Sequence, residues 1–132
     1  MKGLDKMRAL VTTLIMVLIL LACWGGFLVY TDNTSAVLSD HMDDVYGCAA
    51  SSDWEGALKA CDDFLEKWDM NSKVYAIYME GVCVHDIELS AKRCRGYILS
   101  EDASLVMGES ASILAHISLM RDSDRVSLRN VL

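Results

Sequence analysis

The sequence predicts an all-α chain: an N-terminal transmembrane helix followed by a small up-down antiparallel helical bundle. Three observations predict it. Residues 9–30 read ALVTTLIMVLILLACWGGFLVY and carry no charge. Beyond them, apolar residues recur at three- and four-residue spacing, the signature of a helix with one buried face. The 132 residues include no proline, and no stretch shows the sustained two-residue alternation of strands. With 53% hydrophobic and 23% charged residues the chain is too apolar to be wholly disordered.

The apolar run is long enough to span a bilayer, because about 20 helical residues at 1.5 Å each cross the hydrocarbon core. Lys2, Lys6 and Arg8 precede it with Asp5 as the one acid, whereas residues 31–132 hold nine bases and eighteen acids. By the positive-inside rule residues 1–8 are cytoplasmic, residues 9–30 cross the cell membrane once, and the remainder is extracytoplasmic. Trp24 and Tyr30 suit the outer interface. Ala22 and Gly26 form a small-xxx-small pair, beside Gly25, of the kind that lets membrane helices approach closely. A second reading makes Leu20-Leu21-Ala22-Cys23 a loose lipobox, with a lipoprotein anchored through Cys23. The apolar stretch from Trp24 to Tyr30 departs from the polar tether such a protein carries.

Residues 31–50 read as a helical extension of the anchor. Val37, Leu38, Met42, Val45, Tyr46 and Ala49 are helically spaced there. Ser51-Ser52-Asp53 is a turn, with Ser52 and Glu55 spaced as a capping box, and residues 51–132 form the bundle. The second helix carries Trp54, Ala57, Leu58, Cys61, Phe64, Leu65 and Trp68 and ends at Asp69-Met70-Asn71-Ser72. A third runs from Lys73 to Leu99 along Val74, Ile77, Tyr78, Val84, Ile87, Ala91, Cys94 and Ile98, with Gly81 marking a bend. Lys92, Arg93 and Arg95 lie toward its C-terminus, where cations favour the helix dipole. Ser100-Glu101-Asp102 opens a fourth helix with Val106, Met107, Ile113, Leu114, Ile117 and Met120 inside. Asp122 caps a short last one holding Val126, Leu128, Val131 and Leu132.

Several of these residues also carry a resemblance: Trp54, Ala57, Trp68, Ile87-Glu88-Leu89-Ser90, Gly96-Tyr97-Ile98, Ser100-Glu101-Asp102, His116-Ile117 and Leu128-Arg129-Asn130-Val131-Leu132. Together they resemble the bacterial membrane-anchored family catalogued as domain of unknown function 4363. The resemblance implies one N-terminal membrane helix and a short helical exterior domain. Its landmarks are packing and capping residues, so it implies no catalytic residue. The stretch Gly81-Val82-Cys83-Val84 and the four exterior cysteines depart from the family's pattern.

Chemistry-bearing residues are few. Asp40, His41 and Asp44 are the densest set of potential metal ligands, since residues four apart share a helix side; the alternative is a solvated acidic face. Cys48, Cys61, Cys83 and Cys94 lie outside the anchor. If the second and third helices turn about Met70, Cys61 comes close to Cys83, which makes Cys61 and Cys83 the candidate disulfide pair; the alternative is that these cysteines are small buried hydrophobes. The spacings contain no C-x2-C pair for zinc. His85 and His116 have no partner motif. The sequence holds no G-x-S-x-G, H-E-x-x-H, P-loop or G-x-G-x-x-G, so no enzyme and no cofactor are expected. A net charge of −7 argues against nucleic acid as a partner. Residues 31–69 alone hold ten acids and two bases, a surface that anionic lipid repels and a basic partner attracts. The expected function is that of a tethered structural or accessory module, with the bilayer, another envelope membrane protein or a second copy as partner. The alternative is an extracytoplasmic sensor of metal or redox state.

Overall fold

A computed structural model describes the backbone of residues 1–78 and 81–131, and the side chains of these except 78, 82, 123–128, 130 and 131. Helix α1 spans Lys2–Ala50, α2 Trp54–Tyr78, α3 Gly81–Leu99 and α4 Ala103–Val131. The chain divides into two compact units, Met1–Asn33 and Thr34–Leu132.

The first unit is helix alone. Every residue from 1 to 27 is exposed, including Leu10, Leu14, Ile15, Leu18, Ile19 and Leu21. In water such a surface would be costly, at roughly 25 cal/mol for each Å² of apolar area. In lipid it costs nothing, provided that the polar groups find partners within the helix. They do: the hydroxyls of Thr12 and Thr13 donate to the carbonyls of Arg8 and Ala9 at 2.8 Å each, and Thr31 donates to Leu28 at 3.0 Å. This helix is long and apolar enough to cross a membrane.

The second unit is the bundle, and the outer end of α1 belongs to it from Thr34 onward. Its core repeats one spacing in all four helices. Leu38, Met42, Val45 and Ala49 come from α1; Ala57, Cys61, Phe64, Trp68 and Tyr75 from α2; Ile87, Ala91, Cys94 and Ile98 from α3; Val106, Ile113, Ile117 and Met120 from α4. Steps of four and three keep these residues on one stripe per helix, the geometry of antiparallel bundle packing. α3 packs between α2 and α4, and α1 meets α2 where Ser35 Oγ lies 3.4 Å from Tyr75 Oη. α4 also passes the length and apolarity test for a span over Ala103–Asp122. Its buried Val106, Ile113, Ile117 and Met120 make it a bundle helix instead.

Two differences from the sequence reading concern where helices end. α2 runs through Asp69-Met70-Asn71-Ser72 to Tyr78, so these residues do not form the corner between helices. Asn71 falls on the core stripe between Trp68 and Tyr75 and is itself buried; its amide donates back to the Lys67 carbonyl at 2.7 Å, and Ser72 donates to Asp69 at 3.4 Å. Polar residues that normally interrupt a helix are here satisfied inside it. α4 likewise continues through Asp122, with no glycine or proline after Gly108 to stop it. The side chains of Val126, Leu128, Val131 and Leu132 lie outside the described residues, as does that of Tyr78.

The two described turns use one device twice. In Ser51-Ser52-Asp53 and in Ser100-Glu101-Asp102 the middle residue takes a left-handed backbone, φ 60° at Ser52 and 56° at Glu101. Asp53 N–H then donates to Cys48 O at 2.8 Å and Ser52 N–H to Ala49 O at 3.2 Å; Asp102 N–H and Glu101 N–H do the same to Tyr97 O and Ile98 O at 3.1 and 3.0 Å. This is the Schellman closure of α1 and α3. The third residue immediately caps the next helix: Asp53 Oδ1 accepts from Gly56 N–H at 3.0 Å, and Asp102 Oδ1 from Leu105 N–H at 3.2 Å. The cap of α2 is therefore Asp53, one residue later than the Ser52–Glu55 box expected. A Cβ at Gly56 would sit 2.9 Å from Asp53 Cγ, so glycine makes room for that cap. Replacing Asp102 by alanine is expected to cost about 1 kcal/mol of bundle stability. Glu101→Gly is expected to return up to about 1 kcal/mol by relieving the left-handed backbone. Paired thermal melts check both, and equal melting points for the two variants would refute the turn assignment.

Candidate functional site

The acidic start of the bundle does not gather into a ligand set. Asp40 and Asp44 are exposed on α1, while His41 is half-buried and turned toward α2, where it borders a shallow groove with Asp63, Glu66, Lys67 and Met70. The reason is angular: Asp40 and Asp44 stack one turn apart, and His41 is rotated about 100° from Asp40. Among the described residues no three His, Cys, Asp or Glu side chains converge as a metal ion requires. His116 is half-buried, and its Nδ1 donates to the Ser112 carbonyl at 2.8 Å; His85 is exposed.

The basic run on α3 is a set of ion pairs. Lys92 Nζ lies 2.8 Å from Glu88 on its own helix, Arg93 Nε 3.2 Å from Glu109 on α4, and Arg95 Nε 2.8 Å from Asp62 on α2. These cations sit one to two turns before the end of α3, and carboxylates rather than the helix dipole meet them. Only the Glu88–Lys92 spacing was readable in the sequence; the other two require knowing which helices adjoin. Each is partly exposed, so each contributes at most about 1 kcal/mol and acts chiefly on register.

The most chemically distinctive cluster is apolar at first sight. Cys61 on α2 and Cys94 on α3 are both fully buried, and each thiol perturbs the ionisation of the other. Cys61 Sγ also lies 3.8 Å from the Ala91 carbonyl, one turn before Cys94. Cys94 Sγ lies 3.7 Å from Ser110 Oγ and 4.0 Å from Val106 O on α4. The neighbouring Cys94 and burial push the Cys61 thiol far up. The neighbouring Cys61, opposed by burial and assisted by Ser110, holds Cys94 below the usual thiol value. In the reduced protein the Cys61 thiol donates to the Ala91 carbonyl and the Cys94 thiol to the Val106 carbonyl. Cys48 is half-buried, and burial together with Asp53 and Asp44 pushes its thiol up. Cys83 is half-buried and Cys23 exposed; all five are free thiols.

Cys61 consequently meets Cys94, not Cys83. The expected Cys61–Cys83 neighbourhood assumed a corner at Met70. With α2 extended to Tyr78 the return helix shifts along it, and the residue opposite Cys61 moves correspondingly toward the C-terminus.

Two depressions of the described bundle are shallow. Besides the His41 groove, Ser39 of α1 faces Leu114, Ser118, Arg121 and Asp122 of α4 across an open depression.

A family model described as "Domain of unknown function (DUF4363)" matches residues 27–131. No curated protein and no solved structure matches the chain.

Proposed function

This chain belongs to the DUF4363 family, and we propose that it acts as a single-pass membrane anchor that holds a helical interaction module outside the cytoplasm. The observation that carries the reading is the contrast within α1. Residues 9–30 are uncharged and present leucine, isoleucine and valine on all sides, whereas the same helix from Leu38 onward buries one stripe in a bundle. The first part exposes every residue from 9 to 27 and is matched to lipid. The second is a folded unit with an acidic exterior.

In this reading Lys2, Lys6 and Arg8 keep the N-terminus cytoplasmic and the bundle lies on the opposite side of the cell membrane. The module works by contact. The His41 groove and the Ser39 depression are shallow, and the ten acids over residues 31–69 favour a partner with a basic face. The role is structural or accessory, toward another envelope protein or a second copy.

Chemical crosslinking in intact cells followed by extraction in mild detergent tests it. The expected result is a defined crosslinked species, either a homo-oligomer or one recurring membrane partner, that disappears when the acids of residues 40–44 are neutralised. A chain recovered solely as an uncrosslinked monomer would contradict it.

A further inference from the structure

We propose that Cys61 and Cys94 are a redox site that closes into a disulfide joining α2 to α3 through the centre of the bundle. Four observations converge on this pair. Both cysteines are fully buried on the core stripes of α2 and α3. Cys61 Sγ sits over the turn of α3 that ends in Cys94, 3.8 Å from Ala91 O. Small buried residues precede each cysteine within a turn, Ala57 and Ala60 on α2 and Ser90 and Ala91 on α3. Small residues let two helices approach to the near end of their usual 8–10 Å separation, as a disulfide with Cα atoms within about 7 Å requires. Finally, Asp62 and Arg95, each the next residue after one of the two cysteines, form a 2.8 Å cross-helix ion pair that holds the two helices in this register.

The neighbours also assign an order of events. The neighbouring Cys61, together with Ser110 at 3.7 Å, holds the Cys94 thiol below its usual value, which favours its thiolate. That thiolate attacks one sulfur of a donor disulfide, either a small-molecule disulfide such as oxidised glutathione or that of a thiol oxidoreductase, and releases one donor thiolate. Cys61 then loses its proton and attacks the Cys94 sulfur of the mixed disulfide, expelling the second donor thiolate. Two protons and two electrons leave the cysteines, and the donor disulfide becomes two thiols. Because both sulfurs are buried in the finished bundle, the exchange takes place on the folding chain or during local opening of the seam. Closing the 34-residue segment from Cys61 to Cys94 then restricts the unfolded chain and fixes the hairpin. The in-cell form of this proposal rests on the extracytoplasmic placement above, where donor disulfides are supplied; the chemistry of the pair does not.

The full chain in detergent micelles, equilibrated across a series of glutathione and glutathione disulfide ratios, tests the pairing. The samples are quenched in acid, alkylated, and cut after acidic residues, which places Cys48, Cys61, Cys83 and Cys94 on separate peptides. The expected result is concerted loss of two thiols per chain, a linked Cys61–Cys94 peptide pair, and a thermal midpoint raised by several degrees on oxidation. Cys94→Ser is expected to abolish both the linkage and the shift. The wild-type peptide map decides the outcome even where a variant folds poorly. Cys61 linked to Cys83 or Cys48 would overturn the proposal, as would Cys61 and Cys94 both alkylated at the most oxidising ratio with the helical signal native. Linkage in micelles but free thiols in acid-trapped cells would uphold the pair and count against the extracytoplasmic placement.

Discussion

Trp68→Ala is expected to destabilise the bundle by about 3–5 kcal/mol, the range for removing a large aromatic side chain from a packed core. Trp68 is 1% exposed and is the largest fully buried side chain in the protein's described residues. It stacks on Phe64 at 6.2 Å with planes 4° apart and on Tyr75 at 5.6 Å with planes 15° apart, so its loss removes the middle of a three-ring column along α2. A domain of this size has roughly 5–15 kcal/mol of stability in total, and the variant therefore loses a large share of it. Trp68→Phe is expected to cost clearly less. It keeps an aromatic ring in the column, and it removes an indole N–H that is buried without a hydrogen-bond partner. Denaturant unfolding of the full chain in micelles, followed by near-ultraviolet circular dichroism, separates the two variants. Equal losses would mean that the column does not carry the core.

Leu18→Arg is expected to remove the chain from the membrane. Leu18 lies near the middle of the uncharged segment 9–30 and is exposed on α1. A cation at the centre of a spanning helix costs about 2.5–3.5 kcal/mol on insertion scales. The alkaline-washed membrane fraction should fall several-fold relative to the parent chain. Cys23→Ser, by contrast, is expected to leave that fraction unchanged. Release of the Cys23 variant would instead identify lipid attachment at that residue as the anchor.

Most of the bundle was legible because a buried stripe has a period: Leu38-Met42-Val45-Ala49 and Ile87-Ala91-Cys94-Ile98 keep it without interruption, and Val106-Ile113-Ile117-Met120 keeps it with buried Ser110 filling the one polar step. The long apolar helix was legible for the opposite reason, the absence of any charge across residues 9–30. Helix ends were read less well. Asn71 carries turn chemistry but occupies a stripe position, and the core overrides the local preference once its amide finds the Lys67 carbonyl. That single misplacement carried Cys61 to the wrong partner. The Asp53 cap was displaced by one residue because Ser52 and Asp53 are both good capping residues, and the left-handed backbone at Ser52 makes Asp53 the one that faces the helix. The pairing of Arg93 with Glu109 and of Arg95 with Asp62 depends on which helices adjoin, which no local pattern encodes.

Membrane-impermeant amine labelling of sealed cells, read at Lys73 and at Lys2, tests the placement of the bundle most directly. Lys73 is exposed on α2, and Lys2 opens α1 on the far side of the uncharged segment. The account requires Lys73 to be labelled in intact cells and Lys2 to be labelled once the membrane is permeabilised. Labelling of Lys2 with protection of Lys73 in sealed cells would contradict it.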